Sequence, residues 1–247
     1  MEKDYDVIIN GVSFKNQGFL CVKRPSRDAP MKRYKVLNIK GLDGKLYQDT
    51  GLYEDMDLKI SFNYKATKEK WQQKYREAIQ IIYKAKTLQL SDDLGGFYKV
   101  KKVNIGTNTR ESLKFGKFDV TFTIDPFFYI HNEKSKETTF INDYETAKPI
   151  FYIKHIGESD DGFLTVNDKK ISFCFRHEWL PDVDTLVINT ELQLSYYIKS
   201  KQPDWILGAN TAITGDYEDV LFKNGKNTVS VSLGFEIETQ VDWRDLG

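Results

Sequence analysis

Met56-Asp57-Leu58-Lys59-Ile60-Ser61-Phe62 alternates apolar and polar residues without a break. Successive side chains of a strand point to opposite faces, so the pattern predicts a strand with one face buried and one wet. The surroundings continue in the same style. Upstream, residues 5–9 are apolar and β-branched and end at Asn10-Gly11, a hairpin dipeptide. Residues 18–22 and 34–39 read as further strands, and Gly41-Leu42-Asp43-Gly44 supplies a tight turn before Leu46. Downstream, Leu88 and Leu90 alternate with polar residues, and Asp92-Asp93 with Gly95-Gly96 read as a turn. Residues 97–105 and 115–124 then form two long strands. Asp125-Pro126 is expected to end the second one, because proline cannot continue a ladder.

One helix interrupts the strands, predicted over residues 68–86. Thr67 suits the N-cap and Glu69 the first turn, where the helix dipole favours an acid. Trp71, Tyr75, Ile79 and Ile82 recur at spacings of four, four and three, which makes one apolar stripe for packing on a sheet. Trp71, Tyr75 and Ile79 are therefore expected as structural anchors, as is Trp243 near the end of the chain.

The polar run His131-Asn132-Glu133-Lys134-Ser135-Lys136-Glu137 carries no large apolar residue. It sets the expected organisation: a domain of residues 1–131, a linker over 132–148 and a second domain over 149–247. The second domain reads as strand after strand: 150–153, 163–166, 170–175, 185–188, 193–198, 220–222, 228–233 and 235–241. Asn167-Asp168 and Asn224-Gly225 are turns among them. Short strands at this spacing predict a β-sandwich.

Charge divides at the same place. The 247 residues carry 36 Lys plus Arg and 36 Asp plus Glu. Up to His131 there are 24 basic and 16 acidic residues, or +8; the remainder has 12 and 20, or −8. A basic half raises the question of a polyanion. Its clusters, Lys23-Arg24, Lys32-Arg33 and Lys99-Lys101-Lys102, are not interleaved with aromatics into a continuous stripe. Specific nucleic-acid binding is therefore not expected.

Other classes fall away on composition. No run of about 18 apolar residues offers a membrane span. The charged start Met1-Glu2-Lys3-Asp4 is no signal peptide. Cys21 and Cys174 are the only cysteines, one in each half, which suits free thiols in a reducing compartment. Catalytic and metal-binding residues are expected to be none. Cys174-Phe175-Arg176-His177 has nothing nearby to complete a metal site or a nucleophile–base pair. Asp92-Asp93 and Asp160-Asp161 precede glycine turns and read as loop tips. No phosphate-binding glycine loop or EF-hand spacing occurs, so no cofactor is expected. Trp179, Trp205, Trp243, Tyr196 and Tyr197 give the second domain aromatic surface on which a sugar could stack. Trp179, Tyr197 and Trp205 are the carbohydrate-binding candidates.

The order of these features resembles the distal tail protein family (Dit) of siphophages infecting Gram-positive bacteria. The likeness runs through Asn10-Gly11, the Gly41–Gly44 turn, Gly51-Leu52-Tyr53, the lone helix and Phe118-Asp119-Val120-Thr121-Phe122-Thr123-Ile124-Asp125-Pro126-Phe127. It continues through Lys148-Pro149-Ile150, Asp168-Lys169-Lys170-Ile171, Ile188-Asn189-Thr190-Glu191 and Gly225-Lys226-Asn227-Thr228-Val229 to Val241-Asp242-Trp243-Arg244. The resemblance implies a mainly β protein. An N-terminal β-sandwich domain would carry one α-helix and an extended hairpin, followed by a galectin- or carbohydrate-binding-module-like β-sandwich. It implies a non-enzymatic baseplate subunit at the virion tail tip, assembled in the host cytoplasm as a ring of six copies. The implied partners are the tail tube protein, the tail-hub protein (a tail-associated lysin in some phages) and a receptor-binding protein. There is no membrane partner, and DNA passes through the lumen without specific binding. The lumen is expected to be neutral or acidic, with Lys99, Lys101 and Lys102 turned elsewhere. The alternative function is a carbohydrate-binding module adhering to a cell-wall saccharide.

Overall fold

In the computed structural model, residues 5–41, 43–110, 112, 114–175, 183–199 and 201–246 are described. The chain is mainly β, with curled antiparallel sheets and one α-helix among those residues. It divides into a first unit, residues up to Ile130 together with those from Asp245 on, and a second of residues 131–244.

The first unit contains β1 (Val7–Ile9), β2 (Val12–Ser13), β3 (Phe19–Cys21), β4 (Lys32–Leu37), β5 (Leu46–Tyr53) and β6 (Met56–Lys65). After these come α1 (Trp71–Ile82), β7 (Thr87–Leu90), β8 (Asp93–Ile105), β9 (Thr109–Arg110) and β10 (Phe115–His131). The sheet runs β2-β1-β7-β8-β10-β6-β3, with β9 paired to β10. The alternation at 56–62 sets the register. Leu58, Ile60, Phe62 and Tyr64 point inward and meet Phe118, Val120 and Phe122 across the β6–β10 ladder. Phe14 and Phe19 stack at 4.5 Å on the same cluster. Each such buried ring contributes about 1.5–3 kcal/mol relative to exposure.

Three local expectations change. First, β10 passes straight through Asp125-Pro126. The ladder to β8 advances from Ile124↔Val100 to Phe128↔Tyr98, so four residues of β10 oppose two of β8. Pro126 sits in that bulge and beyond the last β6 pair, where no N–H is required. Second, the turn between β7 and β8 is Ser91-Asp92, and Gly95-Gly96 lies inside β8. A Cβ on Gly96 would come within 2.2 Å of the Tyr129 carbonyl oxygen, so only glycine lets β10 cross there. Third, the helix is shorter than 68–86. Thr67 opens a turn into it, its carbonyl accepting from Lys70 N–H at 3.2 Å, and helical geometry begins at Trp71.

Asn10 supplies the helix's stop. It sits at φ +50° in the β1–β2 turn. Its side chain accepts from Lys86 and Thr87 N–H and donates to Lys84 O, at 2.7–3.0 Å. These bonds take the backbone after α1 out of the helical ladder and start β7.

The second unit contains β11 (Thr139–Asn142), β12 (Ile150–His155), β13 (Asp161–Val166), β14 (Lys169–Cys174), β15 (Thr185–Asn189) and β16 (Leu194–Lys199). It continues with β17 (Gln202–Gly208), β18 (Ile213–Thr214), β19 (Gly225–Val231) and β20 (Phe235–Gln240). They form two five-stranded sheets, β11-β19-β13-β14-β18 and β17-β16-β15-β12-β20. Phe151, Ile153, Leu164, Ile171, Leu186, Ile188 and Phe222 fill the core.

The stretch 132–148 is folded structure of this unit rather than a linker. Ser135 bridges Thr239, β11 pairs with β19, and Ala147 bridges Phe222. Asn142, fully buried, donates to the carbonyls of Glu145 and Phe222. The polar run at the start of this stretch hid a segment that the sheets hold by backbone bridges, by Asn142 and by the buried Phe140 and Ala147. Residues 217–220 form a short 3-10 turn capped by Asp216, where a strand over 220–222 was expected.

Candidate functional site

The feature set apart from both cores is the β4–β5 hairpin. It is a two-stranded sheet of its own. Every residue of its strands is exposed except Leu37 and Tyr53, which are half-buried. Register places Tyr34, Val36 and Tyr47 on one face, with Val36 opposite Tyr47 and Tyr34 opposite Asp49. Tyr34 is 48 % and Tyr47 60 % exposed, and their rings meet edge to face at 6.3 Å. The other face carries Leu37 opposite Leu46. At the base, Tyr53 packs edge-on against Phe127 at 5.6 Å. Glu54 N–H bonds to Met31 O at 2.8 Å.

The hairpin's charges pair with each other. Lys32 meets Asp49 at 2.9 Å and Arg33 meets Glu54 at 2.8 Å. The lysine hydrogen bond holds Asp49 below the usual carboxylate range, and Arg33 does the same to Glu54. Fully exposed pairs of this kind add little stability. An isolated hairpin is marginal in water, and this one leaves Tyr34, Val36, Leu46 and Tyr47 exposed.

The remaining chemistry is engaged locally. Arg27 bridges Asp92 at 3.3 Å and Asp93 at 2.9 Å, and Tyr5 donates to Asp92 at 2.9 Å. Burial, then the Asp92 hydrogen bond, pushes the Tyr5 phenol well above its ordinary range. The two acids are thus a salt-bridged corner rather than a free loop tip. Lys101 lies between Asp55 and Asp125, and Lys99 sits 4.0 Å over the Tyr129 ring. Among the described residues, no group of three or more His, Cys, Asp or Glu converges as a metal site would need. Cys21 is half-buried, and desolvation raises its thiol.

The residues singled out from sequence have these places. Trp71 and Tyr75 are half-buried against the first core, Trp71 tilted over Tyr64 at 6.3 Å and Tyr75 edge-on to Phe118 at 5.4 Å. Ile79 is half-buried, while Ala78 and Ile82 are the fully buried positions of α1. The inward face therefore runs 71, 75, 78, 82. Trp243 packs on Phe222 at 6.2 Å, and Arg244 donates to the Thr146 carbonyl, closing the second unit. Trp179 and His177 lie outside the described residues. Trp205 is half-buried against the second core, with the Lys199 ammonium 4.7 Å over its ring. Tyr197 is 3 % exposed, tilts on Phe175 at 5.8 Å and donates to the Cys174 carbonyl. A ring so enclosed offers no face to a sugar, so Tyr197 is a core residue.

No family model and no curated protein matches this chain. Solved structures do. The crystal structure of the SPP1 Dit (gp 19.1) protein, described as a paradigm of the hub adsorption apparatus in phages infecting Gram-positive bacteria, superimposes with a TM-score of 0.64. The match is 10 % identical and covers 97 % of this chain and 98 % of that one. The chain has the fold of the SPP1 distal tail protein. Chains of the phage P2 baseplate in its activated conformation also match, with a TM-score of 0.60 and 12 % identity. They cover 98 % of both chains in the calcium form and 97 % of both in the strontium form. The distal-tail-protein fold thus extends over both units. Sequence placed the hairpin but not its isolation. Tyr34 and Val36 alternate with Arg33 and Lys35 as a half-buried strand would, and nothing local shows that no second layer covers them.

Proposed function

We propose that this chain is a structural, non-enzymatic subunit of a phage tail tip, assembled through its first unit into a ring of six copies. The ring would join the tail tube to the tail-hub protein and act as platform for receptor-binding proteins, with DNA passing through its lumen. The β4–β5 hairpin carries the reading, because it leaves Tyr34, Val36 and Tyr47 in water and needs an apolar neighbour. The full-length likeness to a phage hub protein and to baseplate chains supports it. The opposite charges of the two halves suit a subunit whose ends face different proteins.

Light scattering on the purified full chain tests this. A stable oligomer with the mass of a hexamer is expected. A triple substitution of Tyr34, Val36 and Tyr47 to Ser should leave a folded monomer with an unchanged circular dichroism spectrum. A wild-type chain that stays strictly monomeric at high concentration would overturn the reading.

A further inference from the structure

The direction of the β4–β5 hairpin is set by a residue outside it. Residues 22–31 join β3 to β4 without strand structure and lie as a strap across one end of the first core. A cavity of about 10 Å³ remains between Arg27 and Asp28 of the strap and Met56, Leu58, Tyr98 and Ile124. That is room for no more than about one water. The strap is therefore packed shut on the core rather than looped out from it.

Arg27 is the strap's fastening. One guanidinium nitrogen donates to Asp93 at 2.9 Å and to the Tyr98 hydroxyl at 3.3 Å, and another lies 3.3 Å from Asp92. Asp92 also accepts from the Tyr5 hydroxyl at 2.9 Å, and Tyr98 is buried. The planar fork of the guanidinium thus spans two carboxylates and a buried phenol, a geometry that a lysine ammonium does not reproduce. Each ionic side chain is only about a third exposed. A network of this kind holds better than the fully exposed pairs within the hairpin.

Both legs of the hairpin are held. β4 starts at Lys32, five residues after Arg27, so little slack lies between the fastening and the leading leg. On the trailing leg, Tyr53 packs on Phe127 and Asp55 meets Lys101 just before β6 begins at Met56. The hydrogen bond from Glu54 N–H to Met31 O joins the legs at the base. Two fixed legs define a direction. With the trailing leg alone, the hairpin would pivot about residues 54–55.

We propose that Arg27 is a positioning residue: it fastens the strap to the β7–β8 turn and so holds the β4–β5 hairpin at one angle to its own sheet, preorganised for a neighbouring chain. The part that concerns assembly rests on the reading of the hairpin as the ring-forming element; the fastening itself does not.

Residual dipolar couplings of backbone amides in the weakly aligned full chain test the angle. They are measured with Tyr34, Val36 and Tyr47 changed to Ser, which removes the hairpin's apolar contacts with other copies. The amides of residues 34–36 and 46–48 should fit the same alignment as those of β6 and β10. Arg27→Ala should reduce the hairpin couplings by about half or more and leave those of β6 and β10 unchanged. Arg27→Lys should fall between the two. Asp93→Asn keeps the side-chain shape without the charge; it should show part of the loss, and it takes the place of Arg27→Ala if that variant does not fold. In the otherwise native chain, Arg27→Ala should raise the concentration for half-assembly about tenfold, because a mobile hairpin must be ordered on binding. Hairpin couplings that stay unchanged in both Arg27→Ala and Asp93→Asn overturn the fastening, whether or not the melting temperature falls. Couplings that collapse while assembly keeps its native concentration dependence overturn the positioning role. A native chain that never assembles overturns the ring reading and the assembly part of the proposal, while the couplings still decide the fastening.

Discussion

Two hairpins of this chain draw on similar residues and end in opposite circumstances. β16–β17 carries Tyr196, Tyr197, Ile198, Trp205, Ile206 and Leu207. It is the edge of a five-stranded sheet, and its inner face lies on a core that buries Tyr197 and half-buries Trp205. β4–β5 carries Tyr34, Val36, Leu37, Leu46 and Tyr47, and among the described residues pairs with no other strand. The first hairpin is stabilised by what lies beneath it. Among the described residues the second is held by its own ladder, the Tyr34–Tyr47 ring pair, exposed ion pairs and, at its base alone, the contact of Tyr53 with Phe127. Composition does not distinguish them; the presence of a second layer does. One hairpin is the wall of a domain; the other keeps Tyr34, Val36, Leu46 and Tyr47 in water.

The largest expected effect tests the covered hairpin. Tyr197→Ala removes a ring that contacts Phe175 and a hydroxyl that satisfies the Cys174 carbonyl. Denaturant unfolding should show a loss of about 3–5 kcal/mol in the second unit, the usual cost of deleting a buried aromatic ring. A loss under about 1 kcal/mol would mean that the core does not hold this hairpin, and the contrast would collapse.

The same residue shows what could be read from sequence. Tyr196-Tyr197 is a pair of neighbours on a strand, so one faces the core and the other does not. The choice depends on the phase of the strand relative to Leu186 and Ile188 across the ladder. That is a long-range register, and the dipeptide carries no trace of it. Where phase was internally marked, as in Leu58, Ile60 and Phe62, the inward residues followed from the sequence. Pro126 failed as a stop signal because a bulge excused its missing N–H, and a bulge is a property of two strands together. The segment 132–148 failed as a linker because backbone bridges, Asn142 and the buried Phe140 and Ala147, which lie beyond the polar run, tie it to the second core.

A smaller effect tests what holds the first unit against its helix. Asn10→Ala removes three hydrogen bonds between the β1–β2 turn and the exit of α1, and leaves alanine at a positive φ. The expected loss is about 1–3 kcal/mol. Asn10→Gly keeps the turn but not the bonds, and should recover the backbone part alone. If both variants unfold like wild type, the helix exit is set by something other than this side chain.

Smaller still is the intrinsic stability of the free hairpin's surface. Tyr34→Ser with Tyr47→Ser should change the unfolding free energy of the monomer by no more than about 0.5 kcal/mol, since both rings are largely in water already. The contrast with Tyr197→Ala then becomes quantitative: tyrosine rings are deleted in both, and only the covered one costs the fold. A loss comparable to Tyr197→Ala would show that the hairpin is covered within its own chain.

The finest test concerns the hairpin's own order. Asp49 and Glu54 are held below their ordinary carboxylate range by Lys32 and Arg33. A carboxyl with a depressed folded value contributes its share fully above the unfolded value and loses it as pH falls through the depressed one. Lys32 and Arg33 are raised by the same hydrogen bonds, so on the alkaline side the pairs persist until the cations lose their protons, while on the acid side they go with the carboxylates. The hairpin should therefore keep its pairing from neutral pH down to about pH 4 and loosen below it. The cross-ring contact between Tyr34 and Tyr47, read by nuclear Overhauser effects, reports the change. It should fade in acid in the monomeric chain while the signals of Phe62 and Phe118 stay put, because the buried ladder has no carboxylate on its inward face. Added salt should mimic the acid, since exposed pairs are screened. If the ring contact persists unchanged through both, the ladder and the tyrosines alone order the hairpin, and its ion pairs only decorate an element whose shape is already set.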